Sequence, residues 1–223
     1  MKTIAIVDYG MGNLRSVAKA FMHVAPDQRV LITSDVNEIE SADRVVLPGQ
    51  AAMPESMAAL NASGLRGVLD KVSREKPFLG VCLGLQMFFD TSEEGLTSAG
   101  TPALGWIPGK VVRFPKPHLD TDGSTLKVPH MGWNAVRFPG AMSAHPCWAG
   151  LNNSVDGTAF YFAHGFYAVP EDSAVVAGVA DYPNPICVAV ARANIFAVQF
   201  HPEKSADAGL RVLKNFSLWK GEQ

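Results

Sequence analysis

The segment Gly80-Val81-Cys82-Leu83-Gly84 holds the residue best suited to covalent chemistry. Apolar residues 77–79 precede it and Leu85-Gln86-Met87-Phe88-Phe89 follows it, which predicts a strand that turns sharply into a helix. This turn is strained, so its flanking positions must be small, and both are glycine. The turn would lift the Cys82 thiol out of the sheet at a helix N-terminus, where the helix dipole favours a thiolate. The segment predicts a nucleophile, with a buried structural cysteine as the alternative.

A cysteine nucleophile needs a general base and a group that orients the base. His201 follows a predicted strand over residues 195–200, and Glu203 lies two positions further on. Positions i and i+2 share a side in extended backbone, and Pro202 fixes the φ angle between them. Glu203 can therefore accept from one imidazole nitrogen while the other nitrogen faces the thiol. The alternative for this segment is a solvated turn.

Two glycine-containing turns follow other predicted strands. Pro48-Gly49-Gln50-Ala51 could present a backbone N–H to a tetrahedral oxyanion, with the Leu83 N–H as the second donor, or could be an ordinary turn. Gly10-Met11-Gly12-Asn13 matches a dinucleotide fingerprint only in part, because Arg15 stands at the third glycine position. We therefore expect no nicotinamide or flavin cofactor. The histidines lack metal-ligand spacing, so we expect no metal either.

The elements that must position these residues alternate along the first half of the chain. All-apolar segments indicate strands buried on both faces, and apolar residues at helical spacing indicate the helices between them. Strands are predicted at residues 4–8, 29–33, 44–47 and 78–81, and helices at residues 14–24 and 54–73, the last interrupted near Ser63-Gly64. Ser34-Asp35 is predicted to cap a further short helix that ends at Glu40. This order predicts an α/β fold with a doubly wound, mostly parallel central sheet flanked by helices.

The second half predicts an additional antiparallel region. Strands are expected at residues 104–114, 133–138, 158–162, 174–180, 186–191 and 195–200, and a closing helix at residues 207–219. A loop rich in proline and aspartate spans residues 115–129 and contains His118, Asp120 and Asp122. We see no repeat or linker, so residues 1–223 are expected to form a single domain.

Composition limits the class of protein. The chain has 223 residues, of which 48% are hydrophobic and 18% charged, with a formal net charge of −2. A net charge this close to zero does not indicate electrostatic binding to nucleic acid or to an anionic membrane. No apolar segment approaches transmembrane length. Three cysteines are too few for a disulfide framework, so we expect a cytoplasmic protein with reduced thiols.

With these residues in place, the chain resembles the class I (triad-type) glutamine amidotransferases, which have a flavodoxin-like fold. Within that class it is most similar to the glutaminase subunits of imidazole glycerol phosphate synthases. The class motifs are Pro48-Gly49, Gly80-Val81-Cys82-Leu83-Gly84-Leu85-Gln86 and His201-Pro202-Glu203. The motifs specific to these subunits are Asp8-Tyr9-Gly10-Met11-Gly12-Asn13-Leu14, Pro129-His130-Met131-Gly132-Trp133-Asn134, Tyr161-Phe162-Ala163-His164 and His201-Pro202-Glu203-Lys204-Ser205.

The resemblance implies a reaction. Cys82 attacks the carboxamide of L-glutamine, His201 takes the thiol proton and later protonates the departing ammonia, and Glu203 orients His201. Water then hydrolyses the γ-glutamyl thioester to L-glutamate. Gln86 and Glu94 match positions that hold glutamine. The backbone of Gly165-Phe166 matches the segment that binds its α-carboxylate.

The resemblance also implies a partner. The ammonia would pass to a (β/α)8-barrel cyclase subunit in a heterodimer, which makes imidazole glycerol phosphate and an aminoimidazole carboxamide ribotide in L-histidine biosynthesis. A closed route keeps the ammonia unprotonated and reactive. The residues expected to face the partner are Asn13, Arg15, Trp133 and Lys204.

The chain departs from the family pattern twice. Ala51 replaces the second glycine of Pro-Gly-x-Gly, and its Cβ should impede a backbone flip through positive φ. Gly165 replaces a serine, which removes a possible hydroxyl contact with the substrate. Two alternatives therefore stay open: a glutaminase that serves another biosynthetic pathway, and a docking subunit that has lost catalysis.

Overall fold

The computed structural model describes residues 1–95, 100–116, 123 and 125–221. The strands are β1 Thr3–Val7, β2 Arg29–Thr33, β3 Arg44–Gly49, β4 Phe78–Cys82, β5 Thr91–Ser92, β6 Thr101–Pro102, β7 Gly109–Arg113, β8 His130–Val136, β9 Thr158–His164, β10 Phe166–Pro170, β11 Val176–Asp181, β12 Pro185–Arg192 and β13 Ile195–Val198. The helices are α1 Leu14–Val24, α2 Val36–Ser41, α3 Met53–Ala62, α4 Arg66–Glu75, α5 Leu83–Gln86 and α6 Ala206–Leu218.

The parallel part of the sheet runs in the order β2-β1-β3-β4-β13. This is the flavodoxin-like order, which confirms the predicted α/β class. The carboxyl ends of β3, β4 and β13 meet at one edge, where such sheets bind their ligands. Gly49 pairs with Cys82 in the β3–β4 ladder, and the chain continues from β13 towards His201. The topology therefore gathers the predicted site at this edge.

The antiparallel region is also confirmed. From β13 the sheet continues through β12, β10, β7, β5 and β6, and β11 pairs with residues 185–190 of β12. Strands β8 and β9 form a separate two-stranded sheet with His130 opposite His164. The backbone N–H of His201 donates to the Tyr161 carbonyl at 2.9 Å, which ties this small sheet to the catalytic edge.

The core lies on both faces of the parallel strands, as their all-apolar sequences predict. Val46 of β3 belongs to the cluster under α1 and α6, together with Phe21 and Phe216. Leu47 faces the opposite cluster, which includes Leu60 of α3. Alternate residues of one strand thus hold helices on both sides of the sheet, so the strand ends are rigidly supported.

Several predicted boundaries are confirmed by local chemistry. Asp35 caps α2, because its carboxylate accepts from the N–H groups of Asn37 and Glu38 at 2.7 and 3.1 Å. The predicted break in the helix over residues 54–73 separates α3 from α4. The closing helix is α6. Of the predicted loop 115–129, residues 117–122 (with His118, Asp120 and Asp122) and residue 124 lie outside the described residues.

Three predictions about the elements near the site are wrong in part. Pro48-Gly49 does not end β3; the β1 ladder stops at Val46, so the missing Pro48 N–H is not needed there, and pairing with β4 continues. The helix after Cys82 spans only Leu83–Gln86, because the chain then turns to accept N–H bonds from residues 104–107. The strand over residues 195–200 ends at Val198, since the His201 N–H bonds to β9 instead.

Other differences lie further from the site. Residues 104–107 form a turn with Gly105 at φ 71°, so the strand predicted over residues 104–114 begins only at Gly109. The strand predicted over residues 133–138 is β8, which begins earlier and ends at Val136. Residues 173–175 form a 3-10 turn before β11. Strands β5, β6 and β10 were not predicted.

Arg44 joins the catalytic sheet to α6. Its guanidinium is buried and donates to the carbonyl oxygens of Phe216 and Trp219, at 3.1 and 2.5 Å, at the end of that helix. The Phe216 carbonyl also accepts the Trp219 N–H at 3.2 Å, and the Trp219 carbonyl lies beyond the end of the helix. A cation there complements the helix dipole. The interaction therefore contributes to the stability of the sheet on which the site rests.

We predict that Arg44→Met lowers the free energy of unfolding by about 2–3 kcal/mol, because it removes two charge-assisted hydrogen bonds to backbone carbonyls at a buried position. Urea unfolding measures this change. Arg29→Met is the matched control: the Arg29 side chain is exposed and approaches Glu38 only to 4.0 Å, so we expect a change within about 0.5 kcal/mol. Equal losses in the two variants would contradict the assignment.

Candidate active site

The turn at Cys82 has the strained geometry of a nucleophile elbow. Cys82 lies between β4 and α5 at φ 56° and ψ −112°, and its side chain is buried. A Cβ on Gly80 would lie 2.7 Å from the Phe88 ring, and one on Gly84 would lie 2.0 Å from the Leu47 carbonyl oxygen. Both flanking glycines are thus required by close packing, as predicted. Cys82 is the N-cap residue of α5, and α5 has a single turn, so the helix that contributes a dipole at Cys82 is short.

His201 and Glu203 lie beside the nucleophile. Nδ1 of His201 is 3.0 Å from Oε1 of Glu203, and His201 and Cys82 line the same pocket. All three side chains are buried. Glu203 reaches the imidazole from a 3-10 turn over Pro202–Lys204, and the Ser205 hydroxyl donates to the His201 carbonyl at 2.6 Å. The predicted Cys-His-Glu row is therefore present as a connected set of side chains.

The electrostatics of this row favour a protonated His201. Burial disfavours the imidazolium, but the neighbouring Cys82 and Glu203 side chains outweigh this effect and raise the pKa of His201 to about 10. His201 can therefore be protonated near neutral pH, with the Glu203 carboxylate holding the imidazolium in place.

Asn13, which is predicted to face a partner, also contacts the catalytic row. Its side-chain Nδ2 donates to Oε1 of Glu203 at 3.4 Å, so it contacts the triad carboxylate. Among the described residues, none hydrogen-bonds the buried Oε2 of Glu203. The sequence shows Asn13 after a glycine turn, but spacing alone does not connect it with Glu203, which is 190 residues away.

A pocket of about 370 Å³ opens above Cys82. It contains residues from the predicted nucleophile, oxyanion and substrate groups. The lining residues are Gln50, Ala51, Cys82, Leu83, Gln86, Glu94, Ala163, His164, Gly165, Phe166, His201 and Lys204. A cavity of this size with few convergent polar groups suits a small polar ligand.

The loop after β3 lines one side of the pocket. A Cβ on Gly49 would lie 2.7 Å from Cβ of Leu83, so the loop can approach the elbow only with glycine there. Ser56 donates its hydroxyl to the Gln50 carbonyl at 3.1 Å. Ala51 adopts φ 75° in spite of its Cβ, so the expectation that a side chain here impedes positive φ is wrong for this conformation.

Glu94 connects the pocket with the same loop. Its Oε2 accepts the Met53 N–H, the first residue of α3, at 2.8 Å. Burial raises the pKa of the Glu94 carboxyl, partly opposed by this bond. The predicted substrate residue thus also fixes the loop that carries Ala51.

Gln86 and an unpredicted residue, Gln199, form a buried pair. Nε2 of Gln86 donates to the Phe166 carbonyl at 3.0 Å and to Oε1 of Gln199 at 2.8 Å. Nε2 of Gln199 lies 3.9 Å from the Cys82 sulfur. Both Gln86 N–H groups are therefore used inside the protein, which leaves its carbonyl for a ligand. A period of two puts Gln199, His201 and Glu203 on one side of the chain, and this signal could have identified Gln199.

The other residues predicted to face a partner are spread around this edge. Lys204 is exposed at the pocket rim. Trp133 is 56% exposed on β8, opposite Tyr161, and Met131 beside it is 64% exposed. Arg15 is exposed near the start of α1. Gly165 lines the pocket, and a Cβ there would meet only Pro129 at 4.0 Å, so a larger residue would fit.

No helix within residues 1–95, 100–116 and 125–221 combines the length and apolar character needed to cross a membrane.

Comparisons with known proteins agree with this site. The family model for glutamine amidotransferase class-I matches residues 5–219. The chain is 54% identical over 222 residues to the imidazole glycerol phosphate synthase subunit HisH of Aromatoleum aromaticum, covering 98% of this chain and 99% of that one. It is 52% identical to the subunit of the same name from Dechloromonas aromatica, covering 98% and 97%.

A solved structure shares the fold at low sequence identity. A glutamine amidotransferase from Thermotoga maritima superposes with a TM-score of 0.57 at 16% identity, covering 94% of this chain and 80% of that one. From the family model and the close relatives together, the chain belongs to the class I glutamine amidotransferases and, within them, to the HisH glutaminase subunits of imidazole glycerol phosphate synthase.

Proposed function

We propose that this chain hydrolyses L-glutamine at Cys82, with His201 as the proton carrier and Glu203 as the group that orients it. The observation that carries the proposal is that Cys82 and His201 line one pocket, with Nδ1 of His201 bonded to the buried Glu203 carboxylate at 3.0 Å. A row of this kind activates a thiol for attack on a carboxamide. The match of the family model over residues 5–219 also supports one domain over residues 1–223.

The reaction follows from the positions of these groups. The Cys82 thiolate attacks the carboxamide carbon, and the imidazolium of His201 gives its proton to the departing nitrogen, so that ammonia leaves and a γ-glutamyl thioester remains. His201, now neutral, takes a proton from water as the water attacks the thioester. Glutamate leaves, and the thiolate–imidazolium pair is restored.

The oxyanion formed in each step needs donors in the pocket. We assign this role to the Leu83 N–H and to the backbone of Gly49, Gln50 and Ala51, which lie next to the elbow. We assign the glutamine amino acid moiety to Glu94, to the free carbonyl of Gln86, and to the backbone of Gly165 and Phe166. A carboxylate suits an ammonium group, and backbone N–H groups suit a carboxylate.

We further propose that the ammonia passes to a (β/α)8 cyclase subunit bound at the catalytic edge. The relatives carry the name of a synthase subunit. Exposed Met131 and Trp133 of β8 pair with Ala163 and Tyr161 of β9, and Ala163 lines the pocket together with Lys204. Large exposed apolar side chains at the rim of a site are typical of a contact surface. We also propose a cytoplasmic location, since Cys82, Cys147 and Cys187 are free thiols.

The proposed nucleophile is tested by the release of glutamate from glutamine in the presence of a barrel cyclase and its nucleotide ligand. We expect Cys82→Ala to remove the activity, whereas Cys187→Ala retains it, because Cys187 lies outside the pocket. Full activity in Cys82→Ala would overturn the assignment.

We predict that Glu203→Gln lowers kcat by about 100-fold, since the imidazolium loses the charge that orients and stabilises it. His201 must be protonated to release ammonia, so kcat falls as the pH rises through its pKa of about 10. Loss of the Glu203 charge lowers this pKa, and the alkaline limb of the pH–kcat profile therefore moves to lower pH. Glu75→Gln is the control: Glu75 is an exposed residue of α4, so the substitution should change neither kcat nor the position of the alkaline limb. If Glu203→Gln lowers kcat but leaves the alkaline limb of the pH–kcat profile at the same pH, the proposed role of Glu203 is contradicted.

We predict that Ala51→Gly stabilises the protein by about 1 kcal/mol, because it relieves a left-handed conformation that costs a residue with a Cβ about 1–2 kcal/mol. Thermal unfolding should show a rise of about 2–4 °C. Ala52→Gly is the control: Ala52 has φ −91°, so the change there only adds freedom to the unfolded chain and should not stabilise. A stabilised Ala52→Gly or an unchanged Ala51→Gly would refute the strain.

We predict that Trp133→Ala weakens cyclase binding at least about tenfold, because exposed aromatic residues at the centre of an interface contribute most of its energy. Met22→Ala is the control, since Met22 is 53% exposed on α1 and is also a large apolar side chain. Titration calorimetry measures both dissociation constants. If Trp133→Ala binds the cyclase as tightly as the unaltered chain does, Trp133 does not contribute to the interface.

A further inference from the structure

Two buried histidines outside the triad face each other across the small sheet. His130 of β8 and His164 of β9 are 3% and 5% exposed, and Nδ1 of His130 lies 2.9 Å from Nε2 of His164. The ring of His130 is stacked between Phe162 and Tyr182, with centroid distances of 4.7 and 3.8 Å. The two rings are therefore held in one orientation by packing as well as by their mutual hydrogen bond.

The hydrogen bond between His164 and the Phe166 carbonyl, on the pocket side, determines which ring nitrogens of the histidine pair carry protons. Nδ1 of His164 is 2.8 Å from the Phe166 carbonyl oxygen, which can only accept, so Nδ1 carries the proton. In a neutral ring Nε2 of His164 is then an acceptor, and it must receive its hydrogen bond from Nδ1–H of His130. Nε2 of His130 is left as an acceptor.

The opposite end of the pair leads to the same arrangement. The Asn134 amide is oriented by the backbone, because its Oδ1 accepts the Ala135 N–H at 2.8 Å and its Nδ2 donates to the Asp181 carbonyl at 2.9 Å. Nδ2 also lies 3.4 Å from Nε2 of His130, where it meets the acceptor just derived. The contacts at both ends of the histidine pair are fixed by the backbone, and both predict the same tautomer, in which each ring carries its proton on Nδ1.

A charged ring would break this pattern. An additional proton on Nε2 of His164 would face the Nδ1–H of His130, and one on Nε2 of His130 would face the Asn134 amide donor. Burial acts in the same direction: it lowers the pKa of His130 to about 4 and, with smaller contributions from neighbouring histidines, the pKa of His164 to about 3. Geometry and desolvation therefore both favour two neutral rings.

The chain of hydrogen bonds ends at the pocket wall. The Phe166 carbonyl that accepts from His164 also accepts from Nε2 of Gln86, whose other hydrogen goes to Gln199 beside the Cys82 sulfur. This carbonyl is the point where the histidine pair meets the residues around the nucleophile. With two donors on its oxygen, the backbone at Phe166 has one orientation.

We propose that His164 and His130 are positioning residues for glutamine binding, which as neutral Nδ1–H tautomers fix the Phe166 carbonyl and so shape the Gly165-Phe166 wall of the pocket. The proposal rests on the assignment of this pocket to glutamine. Neither ring transfers a proton in the reaction, and their effect on the substrate passes through the backbone. A structural role alone, as two histidines that fill the core, would change stability without changing substrate affinity.

The tautomers are tested on the folded chain without any substrate. In a sample with ¹⁵N-labelled histidine at pH 7.5, long-range ¹H–¹⁵N spectra distinguish protonated from unprotonated ring nitrogens. We expect both His130 and His164 as Nδ1–H, Nε2-unprotonated rings, assigned through the His130→Gln and His164→Asn variants. A cationic ring or an Nε2–H tautomer at either position would overturn the proposal.

The positioning role is tested by kinetics of the complex with the cyclase and its ligand. We expect His164→Leu to raise KM for glutamine about tenfold, the effect of one lost orienting hydrogen bond, with a smaller change in kcat. His164→Asn places an N–H near the position of Nδ1 and should restore KM to within about threefold of the unaltered chain. An unchanged KM in His164→Leu, or no rescue by asparagine, would refute the role.

His145→Leu is the matched control. His145 is partly buried, stacks on Phe196 and lies outside the pocket, so its loss should leave KM unchanged. If His145→Leu raises KM as much as His164→Leu, the effect is general destabilisation and the proposal fails. If His164→Leu does not fold, His130→Leu removes the same support one step away and should raise KM less. If the complex with the unaltered chain shows no glutaminase activity, the proposed function is refuted instead. The spectra that report the tautomers then remain as the test of the histidine pair.

Discussion

The contact between the nucleophile elbow and strand β3 determines where everything else in the site can lie. The backbone after Cys82 packs against β3 so closely that Gly84 has no space for a Cβ beside the Leu47 carbonyl, and Gly49 has none beside Leu83. This contact turns Cys82 to φ 56° and brings the loop after β3 next to it. Any side chain at these glycines would separate the nucleophile from the proposed oxyanion donors, so the geometry of both depends on one backbone approach.

The charged groups of the site depend on burial in turn. Glu203 is almost fully buried, and a buried carboxylate is costly unless it is paired and hydrogen-bonded. His201 and Asn13 both reach its Oε1, so the charge has partners from two distant parts of the chain. The same low-dielectric surroundings that make the carboxylate costly strengthen its hold on the imidazolium. The triad is therefore stable only as a set, which explains why its members are enclosed on all sides except the pocket.

The sequence predicts the parallel half of the fold well, because strands buried on both faces are continuous apolar segments between amphipathic helices. It also predicts Cys82, His201 and Glu203, since a tight turn and an i, i+2 spacing are local properties. Strand β10 escapes prediction because its partners β7 and β12 lie far away along the chain, and short mixed segments acquire strand structure only from such partners. Gln199 was overlooked for a similar reason: its role depends on which amide it meets across the sheet, and residue type alone does not indicate that.

The conformation of Ala51 illustrates how tertiary contacts overrule a local preference. A residue with a Cβ seldom adopts positive φ, and the sequence suggested that alanine would resist it. In the structure the loop is held on both sides of Ala51, by Ser56 at the Gln50 carbonyl and by Glu94 at the Met53 N–H. Two hydrogen bonds in a partly buried setting outweigh a strain of about 1–2 kcal/mol. Because Glu94 also lines the pocket, the carboxylate that stabilises the strained loop is the one that we propose as a substrate contact, so loop geometry and pocket occupancy would share a single side chain.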